Sequence, residues 1–291
     1  VDCGITAVGE IAYAKEKGID TIITDHHECK DETPDAYCLL NPKQPACPYP
    51  FKKLAGVGVA FKLLQALTIE MRFHMRELIE EYADLVAIGT VADVMPLIGE
   101  NRVIVKKGLE LLSFTQNRGI RALADAADIN LSNVATGTIG FMIAPRINAA
   151  GRMGDPRCAV ELLLATDDMT ARKYAEKLNR ENHERQETEI SILEDALNMI
   201  ENSAALQNDY VIVLAHDNWH HGIIGIVASK ISERFNKPCI LISTDGEVGK
   251  GSGRSIRSFN LFKALEYCQD TLLKFGGHDL AAGLSIAPDR I

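Results

Sequence analysis

At 291 residues, 46% of them hydrophobic, the chain can bury a sizeable core and is expected to form two domains rather than one. Its formal net charge of −9 argues against indiscriminate nucleic-acid binding, because any polyanion must then be met by a local basic patch. No charged-then-apolar leader opens the sequence and no apolar run approaches about 18 residues, so neither a signal peptide nor a membrane span is expected. The seven cysteines are an odd, scattered set without a C-x-x-C pair. Cys29, Cys38 and Cys47 recur at a regular spacing but lack the paired ligands of a zinc ribbon, so the thiols read as reduced and the chain as cytoplasmic.

The chain opens at Val1-Asp2-Cys3-Gly4, which reads as the end of a strand running into a helix over 7–17 that Gly18 terminates. The β-branched run Thr21-Ile22-Ile23-Thr24 reads as a buried strand, so Asp25-His26-His27 should emerge at its carboxyl end, where open α/β sheets bind ligands. A carboxylate beside two imidazoles mixes hard oxygen with borderline nitrogen donors and suits Mn²⁺, Mg²⁺ or Zn²⁺. A polar turn in which Asp25 caps a helix is equally compatible with those three residues. A right-handed crossover would set Asp2 and His26 near one sheet edge, and a chain starting inside a β-α-β unit is expected to have lost an upstream part.

Residues 31–50 hold Pro34, Pro42, Pro45, Pro48 and Pro50 and read as a surface loop. Helical patterning then runs with breaks over 56–112. Within it, an apolar helix over 82–97 meets Asp93 just before Pro96. A carboxylate among apolar neighbours is costly unless paired or bound to a metal; a solvated helix end is the alternative. Residues 145–154 read as a loop in which small residues admit a ligand to the backbone and Arg146 and Arg152 suit bidentate phosphate contact.

Asp167 reads as the cap of a long helix over 169–201. Its apolar stripe fails over 179–189, and a helix polar all round usually bridges domains, so the linker is placed there. Beyond it, a strand over 210–214, a helix over 222–236 and a strand over 238–242 form a second α/β unit. Between Val248 and Leu265 stand Lys250, Arg254, Arg257 and Lys263 with no acidic residue, among glycines and serines that offer backbone amides to a phosphate. Phe275-Gly276-Gly277-His278 reads as a glycine-rich turn that presents His278 to a ligand, with a structural histidine as the alternative. His74 and His183 lie in polar helical contexts and are assigned no role.

Asp25-His26-His27, Gly89-Thr90-Val91-Ala92-Asp93-Val94-Met95-Pro96-Leu97, and Gly276-Gly277-His278 with Ala281-Ala282-Gly283 occur in the order seen in the DHH phosphoesterase family. Pro145-Arg146-Ile147-Asn148-Ala149-Ala150-Gly151-Arg152 and Trp219-His220-His221-Gly222-Ile223-Ile224-Gly225 narrow the resemblance to its RecJ-type single-strand-specific DNA exonucleases. The resemblance implies an α/β fold of two domains: a DHH domain over 1–165, a connecting helix over 166–207 and a DHH-associated domain over 208–291. It implies a two-metal site, Mn²⁺ or Mg²⁺, in the cleft between the domains. There Asp2 would bridge the metals, His26 and Asp93 would be ligands, His27 would face the substrate phosphate and Asp25 would orient its neighbours. Arg146, Asn148, Arg152, His220, Ser252, Arg254, Gly276, Gly277 and His278 would hold the DNA 5′ end and backbone.

By the same resemblance the function is stepwise 5′ to 3′ hydrolysis of single-stranded DNA in recombination and repair, with a helicase or single-strand-binding protein as partner and no membrane contact. A phosphodiesterase of short oligonucleotides or cyclic dinucleotides, and a non-catalytic single-strand-binding relative, are the alternatives. The family's first Asp-x-Asp motif and its C-terminal oligonucleotide-binding barrel have no counterpart in these residues. The sequence therefore reads as a central fragment, with one metal position depleted, that is not expected to hydrolyse DNA by itself.

Overall fold

In the computed structural model, which describes residues 1–244 and 247–291, the chain divides into two units. The first comprises Val1–Asn148 with Pro156–Asn179, and the second Ala149–Asp155 with Arg180–Ile291. The contiguous division read from the sequence differs from this. The long helix is shared between the units, and Ala149–Asp155 groups with the second because Met153 packs against its core.

In the first unit, α1 (Val8–Glu16) ends in a Schellman arrangement: the Gly18 N–H reaches the Lys15 carbonyl and the Ile19 N–H that of Ala14. Gly18 takes a φ of +71°, as that ending requires. The residues before α1 are not a strand, since Asp2 (φ +60°) and Gly4 (φ +110°) are both left-handed. They nevertheless lie along β1 (Ile22–Thr24), because the Asp2 N–H donates to the Thr24 carbonyl at 2.7 Å. β1 pairs in parallel with β2 (Cys38–Leu40), so the proline-rich stretch is not loop throughout: Pro34 and Pro42 flank the short strand without interrupting it.

Helices α2 (Gly56–Glu70), α3 (Met75–Ala92), α4 (Gly99–Leu112) and α5 (Arg118–Ala126) follow. α3 and α4 cross closely at Gly108, where a Cβ would lie 2.3 Å from both the Ala83 carbonyl oxygen and the Ala87 Cβ. Of residues 145–154, expected as a loop, all but Gly154 are helical. After α6 (Thr136–Thr138) and a π-turn (Ile139–Ile143) comes α7 (Ala144–Met153). Pro145, which lacks an N–H, falls where the π pattern gives way to α, and the small residues Ala149 and Ala150 are fully buried, serving close packing. α8 (Arg157–Leu163) then leads to α9 (Asp168–Glu201), capped as expected by Asp167, whose Oδ1 accepts from the Thr170 N–H at 2.8 Å.

In the second unit the polar stretch of α9 is solvated on one face only: His183, Glu184, Gln186 and Glu187 are exposed, while Asn182 and Glu189 are buried. Glu189 accepts from Arg185 at 2.5 Å and pairs with Lys230 at 2.5 Å, and Arg185 also donates to Asn182 at 2.7 Å. These contacts replace the missing apolar stripe. After α10 (Ala204–Asn208), the unit is built from β3 (Ile212–His216), α11 (Ile224–Phe235), β4 (Cys239–Ser243) and β5 (Gly249–Arg254). α12 (Leu261–Tyr267), β6 (Leu272–His278) and β7 (Ala281–Ile286) complete it. The sheet order is β3-β4-β5-β7-β6, with β3 and β4 parallel and the other pairs antiparallel. Ile212, Leu214, Trp219, Val227 and Ile231 form its core on one side. Among the described residues, no helix is long and apolar enough to cross a membrane.

Candidate functional site

The strand β1 delivers Asp25-His26-His27 at its carboxyl end. Asp25 is buried and turned inward: its Oδ2 accepts from the Ile5 N–H at 2.9 Å, and its Oδ1 accepts from the His26 N–H at 2.7 Å and the His27 N–H at 3.2 Å. The His27 Nδ1 also lies 2.7 Å from Oδ1. Burial pushes the Asp25 carboxyl up, but the donors from Ile5, His27 and His26 outweigh it and hold the group below the ordinary aspartate value. Asp25 thus stays ionised and fixes the two histidines.

His26 is itself buried, with Nδ1 3.1 Å from the Leu54 carbonyl oxygen. Its Nε2 stands 3.1 Å from Asp2 Oδ1 and 3.5 Å from Asp93 Oδ2. Asp93 is the C-terminal cap of α3, and its side chain is 45% exposed, so it lies at a mouth and not in the apolar interior that its neighbours in sequence suggest. Burial raises its carboxyl above the ordinary value; His26 opposes this and the like charge of Asp2 adds to it. One donor atom from each of Asp2, His26 and His27 falls within 4.8 Å of the others.

Two carboxylates facing one imidazole nitrogen form a donor set that a divalent cation fits, since the cation relieves the repulsion between the carboxylates. Gly56 opens the space: a Cβ there would lie 1.9 Å from Asp2 Oδ1. The sequence reading missed three supports of this cluster: Gly56, Leu54 through its carbonyl, and Asn41, which donates to the His27 carbonyl at 2.9 Å. Only Gly56, as the start of the helical pattern, carried a signal in the sequence, and that signal concerned the helix.

The remaining candidate residues of the first unit are Arg146 and Asn148. Arg146 donates from Nε to Asn179 at 2.8 Å and from Nη1 to the Met142 carbonyl at 2.7 Å, while Asn148 is exposed on α7.

In the second unit, Arg152, Ser252 and Arg254 come together with His220. The Arg254 Nη1 donates to Ser252 Oγ at 3.2 Å and to the Gly253 carbonyl at 2.8 Å, while the Arg152 Nη1 donates to the Gly222 carbonyl at 3.1 Å. The His220 Nδ1 accepts from the Gly222 N–H at 3.1 Å. Partial desolvation, then Arg152, lowers the Arg254 guanidinium; partial desolvation, then Arg185, lowers that of Arg152. Arginines gathered so closely favour an anion among them. Gly225 keeps this place open, since a Cβ on it would lie 2.7 Å from Ser252 Oγ and 3.2 Å from Arg254 Nη2.

Gly276 and Gly277, expected in a turn, instead lie within β6, with His278 as its last residue opposite Ala281. The turn is Asp279-Leu280. Gly277 has a φ of +143°, and a Cβ there would strike the Ala281 carbonyl oxygen at 2.4 Å, so glycine serves the hairpin.

A buried Asp-His-His strand end in one unit and a strand carrying Arg254 in the other mark a two-domain protein of the DHH class. Residues 1–90 match the DHH family, N-terminal domain, and residues 208–291 match the DHHA1 domain. The single-stranded-DNA-specific exonuclease RecJ of Bacillus subtilis is 45% identical over 293 residues, covering 100% of this chain and 36% of that protein. A crystal structure of RecJ in complex with Mn²⁺ from Thermus thermophilus superposes with a TM-score of 0.87 at 36% identity, over 99% of this chain and 42% of that one. A crystal structure of exonuclease RecJ bound to manganese gives a TM-score of 0.86 at 37% identity, over 99% of this chain and 70% of that one. The chain belongs to the RecJ family of DHH proteins. It spans from about a third to about half of the curated relatives it matches.

Proposed function

We propose that the chain serves the hydrolysis of phosphodiester bonds in single-stranded DNA from the 5′ end, with Mn²⁺ or Mg²⁺ held by Asp2, His26 and Asp93, and that it works in the cytoplasm. The observation that carries this reading is the convergence of an imidazole nitrogen on two carboxylates from separate elements. The likeness to exonucleases of the RecJ family supports the choice of substrate.

A bound divalent cation supplies charge that activates water and stabilises the oxygens of an in-line displacement. The protein's own residues do the rest. Asp25 orients both imidazoles, Asp2 and Asp93 contribute the anionic donors, and His27, 54% exposed at its side chain, faces the substrate phosphate. Arg152, Arg254 and Ser252 hold a 5′ phosphate through charge-assisted hydrogen bonds that fix register without reading bases. Arg146, Asn148, His220, Gly276, Gly277 and His278 line the path of the strand in this reading.

The test is digestion of a 5′-phosphorylated, 3′-labelled single strand by the protein expressed from its complete reading frame. Mn²⁺-dependent release from the 5′ end, abolished by Asp93→Asn, is expected. An intact strand, or turnover undiminished in the variant, overturns the reading.

A further inference from the structure

We propose that the first unit carries a second ligand site, between α5 and the first turns of α9, that takes a nucleoside monophosphate. The two helices and residues 129–131 flank an open cleft of about 500 Å³, within the range of small-molecule sites, and none of its lining residues belongs to the Asp2-His26-Asp93 cluster.

Its floor is fixed: Ala122, Ala124, Ile129 and Ala171 are buried, and α5 is held at its start by Asn117, whose Oδ1 accepts from the Ile120 N–H at 3.0 Å. The rim is charged in an otherwise acidic protein. Arg118 and Arg121 stand three residues apart on one face of α5, a spacing at which like charges repel. Arg118 is tied across the cleft to Asp168 at 2.6 Å. Arg121 reaches only the Thr115 carbonyl, at 3.5 Å. Arg172, one turn after Asp168, makes no ion pair or hydrogen bond among the described residues, and neither does the side chain of Asp125.

These unspent groups describe a ligand. Two guanidiniums free to donate suit a phosphate, which they bind in bidentate fashion. A free carboxylate on the same rim would repel a plain polyanion but accepts hydrogen bonds from a sugar hydroxyl or a base amino group. Ile129 and Leu131 supply an apolar wall for the base. Phosphate, donor-bearing sugar or base, and a flat apolar body are the parts of one mononucleotide. The site is a binding site only, because no group on the rim is paired with a base or a nucleophile.

The test is calorimetric titration of the whole chain with dAMP, deoxyadenosine and inorganic phosphate as separate ligands. It is run with the Arg254→Ala and Asp93→Asn substitutions present, so that neither site described above contributes. Saturable binding of dAMP, tighter than that of either part, is expected. Arg172→Ala and Arg121→Ala should each weaken it about tenfold or more, the effect of losing a charge-assisted hydrogen bond. Arg172 is exposed and Arg121 half-buried, and unchanged thermal melting will confirm that the variants fold. The proposal is overturned if dAMP does not saturate, if inorganic phosphate or deoxyadenosine binds as tightly as dAMP, or if both arginine variants bind like the parent.

Discussion

The His26 Nδ1 lies 3.1 Å from the Leu54 carbonyl oxygen, and this contact decides which ring nitrogen is free for a cation. A carbonyl only accepts, so Nδ1 carries the hydrogen and the lone pair of the neutral ring sits on Nε2, facing Asp2 and Asp93. His26→Ala should therefore lower Mn²⁺ affinity by more than about tenfold, read by the electron paramagnetic resonance signal of free Mn²⁺ during titration. Unchanged affinity would remove His26 from the ligand set.

Gly56→Ala tests the same site without touching a donor. Gly56 does not have a left-handed φ, and alanine favours a helix, so α2 should form as before. The new Cβ would lie 1.9 Å from Asp2 Oδ1, which must then move. The expected outcome is a loss of Mn²⁺ affinity of about tenfold with the helical circular dichroism unchanged, a shift of the size that follows from misplacing one ligand. Full affinity would mean that Asp2 does not hold the ion.

What was legible in the sequence follows from how local each signal was. Asp167, Gly18 and the run 21–24 act within a few residues, and their cap, helix end and strand all form. The segment 145–154 misled because small residues mean either close ligand approach or close helix packing, and only the partner surface distinguishes the two. Buried Ala149 and Ala150 show that packing won. The polar stretch of α9 misled in the opposite sense: Glu189 is buried because Arg185 and Lys230, one of them 41 residues away in the chain, neutralise it. The pairing of Asp93 with His26 spans 67 residues, so their meeting rested on the family resemblance and not on spacing.

Asp84 gives a pH-dependent prediction. Burial raises its carboxyl above the ordinary aspartate value, although the Thr115 hydroxyl at 2.5 Å and the Leu85 N–H at 2.6 Å partly offset this. A carboxyl raised on folding favours the protonated state, so its stabilising contribution is complete below the unfolded value and is lost as pH rises through the folded one. Asp84→Asn removes the buried charge and keeps one acceptor, for the Leu85 N–H on Oδ1, while the amide NH2 that replaces Oδ2 can donate to the Thr115 hydroxyl oxygen. The variant should gain melting temperature relative to the parent at pH 7, and the gain should shrink as pH falls toward the ordinary aspartate value. A difference that does not change with pH would show that Asp84 carries no buried charge at neutral pH.

Arg254 is the residue through which the second unit should sense a phosphate. Its guanidinium is half-buried, steered by Ser252 and the Gly253 carbonyl, and set beside Arg152, so it is oriented before any ligand arrives. Arg257, three residues on, is exposed and belongs to the same basic stretch, which makes it the control. If the stretch were only a solvated face, the two would contribute alike and little. If Arg254 holds a 5′ phosphate, Arg254→Ala should weaken binding of a 5′-phosphorylated single strand by about tenfold or more and lower the slope of log affinity against log salt by about 0.7, the value of one lost contact on a single strand. Arg257→Ala should change both much less, and a strand lacking the 5′ phosphate should be nearly indifferent to Arg254→Ala. Fluorescence anisotropy across a salt series in the presence of Ca²⁺ in place of Mn²⁺ measures all three. Equal effects of the two substitutions, or an effect independent of the 5′ phosphate, would take Arg254 out of the end-binding role and leave it a general backbone contact.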